Sequence, residues 1–157
     1  WVTGGMRFTA SGVAWLTFDP DDAHIVNWSS SAGFFDDTTM DSGFGSATFL
    51  PVELDGLNQP IVLTDESILH RVGGNWQVSD YEASDMAQYD LAVDNSGDPR
   101  IAARHGADLE LIHTDAEGFW QYNEVAEAMD AAPFGVAVDS SDNTHACYIQ
   151  DGQLWFY

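Results

Sequence analysis

Four aspartates, Asp22, Asp65, Asp108 and Asp151, recur at a constant spacing of 43 residues. Carboxylates repeated at one position of a repeating unit converge into a ring of oxygen ligands, which suits a hard cation such as Ca²⁺ or a polyhydroxylated sugar. Asp21, Glu66 and His105 lie close to members of this series in the chain. The competing account is conformational: aspartate caps turns through its own backbone, so a repeated turn repeats its aspartate. Layers of sheet stack about 10 Å apart, so carboxylates of neighbouring layers share one ion only near a common axis.

His70 and His113 are also 43 residues apart, with Asn27 and Phe156 at the other positions of that column. Metal bonds of about 2 Å cannot bridge layers about 10 Å apart, so these histidines are predicted to be structural. Tyr81, Tyr89 and Tyr122 stand among acids, as in S-D-Y-E-A-S-D and Q-Y-N-E-V-A-E. Aromatic rings beside carboxylates suit sugars, and they also pack at junctions between elements. The chain contains no nucleophile elbow, phosphate loop or zinc-ligand spacing. The candidate ligand-binding set is therefore Asp22, Asp65, Glu66, His105, Asp108, Asp151, Tyr81 and Tyr122. No catalytic residue and no cofactor are assigned; Ca²⁺ is the ion the carboxylates would suit.

Charge narrows the partners. There are 26 acidic residues against four arginines and no lysine, for a formal charge of −22. That field repels nucleic-acid phosphates and anionic lipid, and clustered basic residues to overcome it are lacking. Nucleic acid and membrane insertion are excluded on these grounds; no apolar run approaches the roughly 18 residues that span a bilayer. Nineteen of the acids are aspartate, a turn residue, which puts much of the charge in solvated loops suited to solubility or high salt. Cys147 is the single cysteine and lies in an apolar run, as a buried inert thiol would.

The elements that must position these residues are short strands. Each aspartate of the series opens an apolar run: D-A-H-I-V-N-W, D-E-S-I-L-H-R, D-L-E-L-I-H-T and D-G-Q-L-W-F-Y. Their β-branched, aliphatic and aromatic columns are strand chemistry. Before each lies a second apolar run (Val13 to Phe18, Ile61 to Thr64, Ile101 to Ala103, Ala146 to Ile149). A third precedes that one (Met6 to Phe8, Val52 to Leu54, Leu91 to Val93, Val136 to Val138), closed by turns such as D-G-L-N-Q, D-N-S-G-D and D-S-S-D-N. Small turns and an aromatic (Phe35, Trp76, Trp120) then start a fourth strand.

Four short strands in a unit of about 43 residues is the pattern of a β-propeller blade, and the 45% apolar content of 157 residues is enough for such a core. The expected fold is all-β: one β-propeller domain, or a propeller segment, over 1–157. Its repeats fall at approximately 1–43, 44–86, 87–131 and 132–157, each a four-stranded antiparallel meander. Four full repeats would need more residues than the chain has, so the last blade is expected to lack most of its outer strand. Trp1 to Thr3 or a partner would have to supply it. Otherwise Leu154 to Tyr157 is an apolar edge through which copies could pair. The open readings are a self-closed ring, a dimer whose blades join, and a segment of a longer propeller.

The segments Y-D-L-A-V-D-N-S-G-D-P-R-I-A (89–102) and F-G-V-A-V-D-S-S-D-N-T-H-A (134–146) resemble microbial, often extracellular, propeller repeats of the type L-A-x-D-x-x-G-N-P-H-I-A. The resemblance implies a propeller fold and, in general, binding or scaffolding in a secreted or cell-surface setting. The turn H-T-D-A-E-G-F-W resembles the Asp-box of sialidase-type propellers, but its Gly and Trp spacing departs from S-x-D-x-G-x-x-W, so glycoside hydrolysis is not inferred from it. The expected function is a non-catalytic module binding a glycan or protein at its loop face. The alternatives are a polysaccharide-acting hydrolase or lyase using loop-face carboxylates, and an assembly fragment that completes a larger propeller by oligomerisation.

Overall fold

A computed structural model describes residues 5–18, 24–29, 33–39, 51–64, 67–81, 86–130 and 133–157. Among them the only regular elements are strands, arranged as four antiparallel meanders in chain order. The first sheet is β1 (Met6–Phe8), β2 (Ala14–Phe18), β3 (His24–Ser29) and β4 (Gly33–Thr39). The second is β5 (Val52–Leu54), β6 (Pro60–Leu63), β7 (Ser67–Val72) and β8 (Asn75–Asp80). The third is β9 (Met86–Val93), β10 (Pro99–His105), β11 (Asp108–Thr114) and β12 (Trp120–Ala126). The fourth has three strands, β13 (Gly135–Val138), β14 (Thr144–Gln150) and β15 (Gln153–Phe156). Trp1 to Thr3, the expected stub of its outer strand, lie outside the described residues.

The chain divides into two compact units, residues 1–83 and 84–157, each holding two sheets. In the first, Trp15 and Ile25 of one sheet bury against Val52, Val62 and Leu69 of the next. Trp76 meets Trp15 edge-to-face at 6.4 Å, and the Arg71 guanidinium lies 5.0 Å from the Trp15 ring centre. In the second, Ala102, Leu109, Leu111 and Ala126 pack with Ala146 and Tyr148. All four residues of β6, Pro60 to Leu63, are buried.

Glycine and aspartate set the turns. Gly73 and Gly74 join β7 to β8 with φ of 59° and 86°, and Asp151 and Gly152 join β14 to β15 with 54° and 69°. Two consecutive positive values define a type I′ hairpin, for which Asp-Gly is a preferred pair. Gly106, at φ 62°, opens the two-residue link between β10 and β11.

The repeat is less regular in space than in sequence. Ile61 pairs His70 and Arg100 pairs His113, which makes His70 and His113 equivalent. The hairpin joining β10 to β11 is longer than that joining β6 to β7, its last pair being His105–Asp108, whereas Thr64 closes on Ser67. In the fourth sheet the corresponding last pair is Gln150–Gln153. Asp108 therefore begins a strand, and its spatial counterpart is Gln153, while Asp151 sits inside the turn.

Candidate functional site

A different set of aspartates occupies matching places. Asp55, Asp94 and Asp139 each close the turn between the first and second strands of a sheet, and Asp115 closes the turn between β11 and β12. The backbone N–H of each donates to the carbonyl four residues on: Gln59, Asp98, Phe119 and Asn143. The third residue after each aspartate, Asn58, Gly97, Gly118 or Asp142, has a φ between 61° and 91° and donates its N–H back to the aspartate carbonyl. Oδ1 of every aspartate accepts two more backbone N–H groups, from the second and fourth residues after it, at 2.8–3.1 Å. Thr9 fills the same place before β2, its hydroxyl accepting from the Val13 N–H at 3.0 Å.

The second carboxylate oxygen reaches across the strands. Oδ2 of Asp55 contacts His70 Nε2 at 2.9 Å, and that of Asp94 accepts from Arg100 at 2.7 Å. Oδ2 of Asp115 accepts from Gln121 at 2.7 Å, and that of Asp139 from the Asn143 amide at 2.9 Å, with His145 Nε2 at 3.2 Å. Hydrogen bonds to the charged form favour ionisation. Burial works against ionisation of Asp55, but donors from Gln59, His70 and Leu57 outweigh it and hold the carboxyl below its ordinary range. The Phe119 N–H does the same for Asp115, and the Asn143 side chain, with backbone donors, for Asp139.

The residues singled out from sequence are dispersed among other jobs. Asp22, Asp65, Glu66 and the neighbouring Asp21 lie outside the described residues. Tyr81 is 4% exposed and its hydroxyl donates to the Thr64 carbonyl at 2.7 Å, a packing role. Tyr122 is exposed on β12, opposite Ile112. Asp108 Oδ1 accepts from the Ala128 N–H at 2.9 Å, tying the start of β11 to the chain after β12. His105 Nδ1 lies 3.2 Å from Glu110. Glu110 faces Glu124 across the strands. Desolvation and then the charges of Glu127, Asp108 and Glu110 push the Glu124 carboxyl up. Among the described residues, no group of three His, Cys, Asp or Glu could hold a metal ion.

At the Asp-turn end of the second unit a cleft of about 250 Å³ opens beside β10, β11 and β14. Leu111 gives it an apolar wall; Arg100, Ile112, His113, Asn123, Thr144 and Tyr157 line the rest. Arg100 and Asp94 form an ion pair with side chains 17% and 4% exposed. Arg100 NH1 is enclosed and has no hydrogen-bond partner among the described residues. Burial, and secondarily the Arg100 charge, push the His113 imidazole down against the opposing pull of Asp115. His113 is thus neutral at neutral pH, and its Nδ1 lies 3.4 Å from the Asn123 amide. Sequence reading missed this cleft, because its walls come from several strands spread over residues 100–157.

No family model matches the chain, and no curated protein matches it. Among solved structures it is similar to a catalytically inactive histidine-to-alanine variant of virginiamycin B lyase from Staphylococcus aureus, determined with quinupristin. The TM-score is 0.70 and the identity 11%, over 98% of this chain and 54% of that one. The fold is a β-propeller. A streptogramin B lyase structure matches at a TM-score of 0.63 and 13% identity, over 99% of this chain and 54% of the other. This propeller chain spans about half the length of both. At such identities the likeness is one of fold.

Proposed function

We propose that this chain is a secreted or cell-surface propeller module that binds a glycan or a protein and carries out no chemical step. The observation behind this reading is the fate of the Asp-turn carboxylates. Asp55, Asp94, Asp115 and Asp139 all have one oxygen taken by two backbone donors and the other by a side chain. A general acid or base needs a pKa near the working pH and a free oxygen. These carboxylates are anchors, and the cleft beside them offers hydrogen-bonding groups without a nucleophile–base pair. The likeness of 89–102 and 134–146 to extracellular propeller repeats supports the setting. A glycan array and a pull-down test the proposal: retention of a ligand without its turnover is expected, and measured turnover of any retained ligand overturns it.

A second reading, an enzyme of the lyase kind, is favoured by one observation. Both matched structures are named as lyases and one is inactive as a histidine-to-alanine variant, while here His113 lines a cleft. Incubation with quinupristin or polysaccharides, followed by mass spectrometry, separates the two. Activity lost in His113→Ala establishes the second reading, and intact substrates remove it.

A further inference from the structure

We infer that the cleft lined by Arg100, His113, Asn123 and Thr144 is a subsite for one uncharged sugar residue of a glycan. The inference rests on the binding-module reading and adds the class of ligand.

Charge decides the class. The one cation in the lining, Arg100, is already neutralised by Asp94 at 2.7 Å, and its NH1 is enclosed rather than presented to solvent. An anionic ligand therefore gains no unpaired positive charge in the cleft, while a chain of formal charge −22 repels it on approach. Salt screens that repulsion beyond about 8 Å at physiological strength, which weakens the steering term and leaves the missing local partner. A cation is drawn in by the same field but meets a guanidinium and no side-chain carboxylate among the lining residues. A neutral ligand meets neither obstacle.

The hydrogen-bonding groups match hydroxyls. A sugar hydroxyl both donates and accepts, and so do the groups here: the Asn123 amide, the Thr144 and Tyr157 hydroxyls, and a neutral His113 ring with one donor and one acceptor nitrogen. Leu111, on the same face of β11 as His113, supplies an apolar wall for the C–H face of a pyranose, and exposed Tyr157 adds an aromatic surface. A volume of about 250 Å³ falls below the roughly 300–1,000 Å³ of pockets that enclose drug-sized ligands, so one ring fits and the rest of a chain would extend outside.

The test uses the whole chain on an array of neutral, uronate-bearing and sulfated oligosaccharides, with peptides alongside, and isothermal titration of the best binder. Neutral oligosaccharides should be retained in preference to charged ones. Asn123→Ala should weaken them roughly two- to tenfold, the worth of one neutral hydrogen bond. Asn123→Trp, a substitution at an exposed position that fills the cleft without disturbing the core, should abolish binding. Leu57→Ser, at an exposed position of the turn between β5 and β6, should leave it unchanged. The inference is overturned if charged glycans or peptides are preferred, or if both Asn123 variants bind neutral glycans as the parent does; the binding-module reading survives either result. If the parent binds nothing on the array and nothing in a pull-down, both fall together.

Discussion

Replacing Asp94 with alanine should unfold the second unit more readily than any other turn substitution, for reasons that can be put in numbers. The side chain is 4% exposed; Oδ1 accepts from Ser96 and Asp98, both at 2.9 Å, and Oδ2 from Arg100 at 2.7 Å. Removing one member of a buried ion pair leaves the other charged and uncompensated, which costs about 3–5 kcal/mol. Arg100 keeps 17% exposure, which places the cost near the lower end of that range. The two freed N–H groups belong to exposed residues and can take water, adding no more than about 1 kcal/mol. The total is about 3–4 kcal/mol, or a fall in Tm of roughly 10 °C for a chain of this size. Urea titrations followed by circular dichroism measure it. The double variant Asp94→Ala/Arg100→Met carries no stranded charge and should recover part of the loss. A single-variant cost below about 1 kcal/mol, or a double variant no more stable than the single, would refute the account of Asp94 as the anchor of Arg100.

Four further expectations follow from groups already described. His113 has a folded-state pKa below its unfolded value of about 6.5, so its contribution to stability is full above that pH and lost as pH falls toward the folded value; urea midpoints measured from pH 7.5 to 5 should decline, and His113→Gln should flatten the decline. Asp55 follows the same sign at lower pH, its contribution present above about 3.9 and lost in stronger acid, which Asp55→Asn would remove in the same titration. Gly118 holds φ +86° with open space where a Cβ would go, so Gly118→Ala should cost about 1–2 kcal/mol through conformation alone; Gly118→Asn should cost less, since Asn58 holds that turn position at 61°. Tyr81→Phe strips the buried hydroxyl from the Thr64 carbonyl and should lower stability by about 1–3 kcal/mol in the same denaturation assay.

Strand content was legible because each sheet writes its own apolar run. Val52 to Leu54 is β5 as read from sequence, and the runs at Ile101 and Ala146 sit inside β10 and β14. What sequence could not show is which aspartates correspond in space. Asp55 and Asp94 are 39 residues apart and Asp94 and Asp139 are 45 apart, chiefly because the hairpin of the third sheet is extended relative to that of the second. An even 43-residue column through Asp108 and Asp151 stands out on the page, yet it passes through a strand start in one sheet and a turn interior in another. The Asp-turns were visible as D-x-x-G/N/D strings, but nothing local tells that each carboxylate spends both its oxygens on its own sheet. Tyr81 likewise reads as a surface aromatic among acids until the third dimension closes over it.

Differences in length between sheets are absorbed where the second and third strands meet, whereas at the opposite margin of each sheet the turn between the first and second strands keeps one geometry, at Asp55, Asp94 and Asp139. The two margins are therefore unequal as sites for engineering. A peptide inserted at Gly106–Ala107 would lengthen a hairpin that already varies, with the Asp-anchored margin serving as the fixed datum. The same insertion between Asp94 and Asp98 would pull out four hydrogen bonds and free a guanidinium.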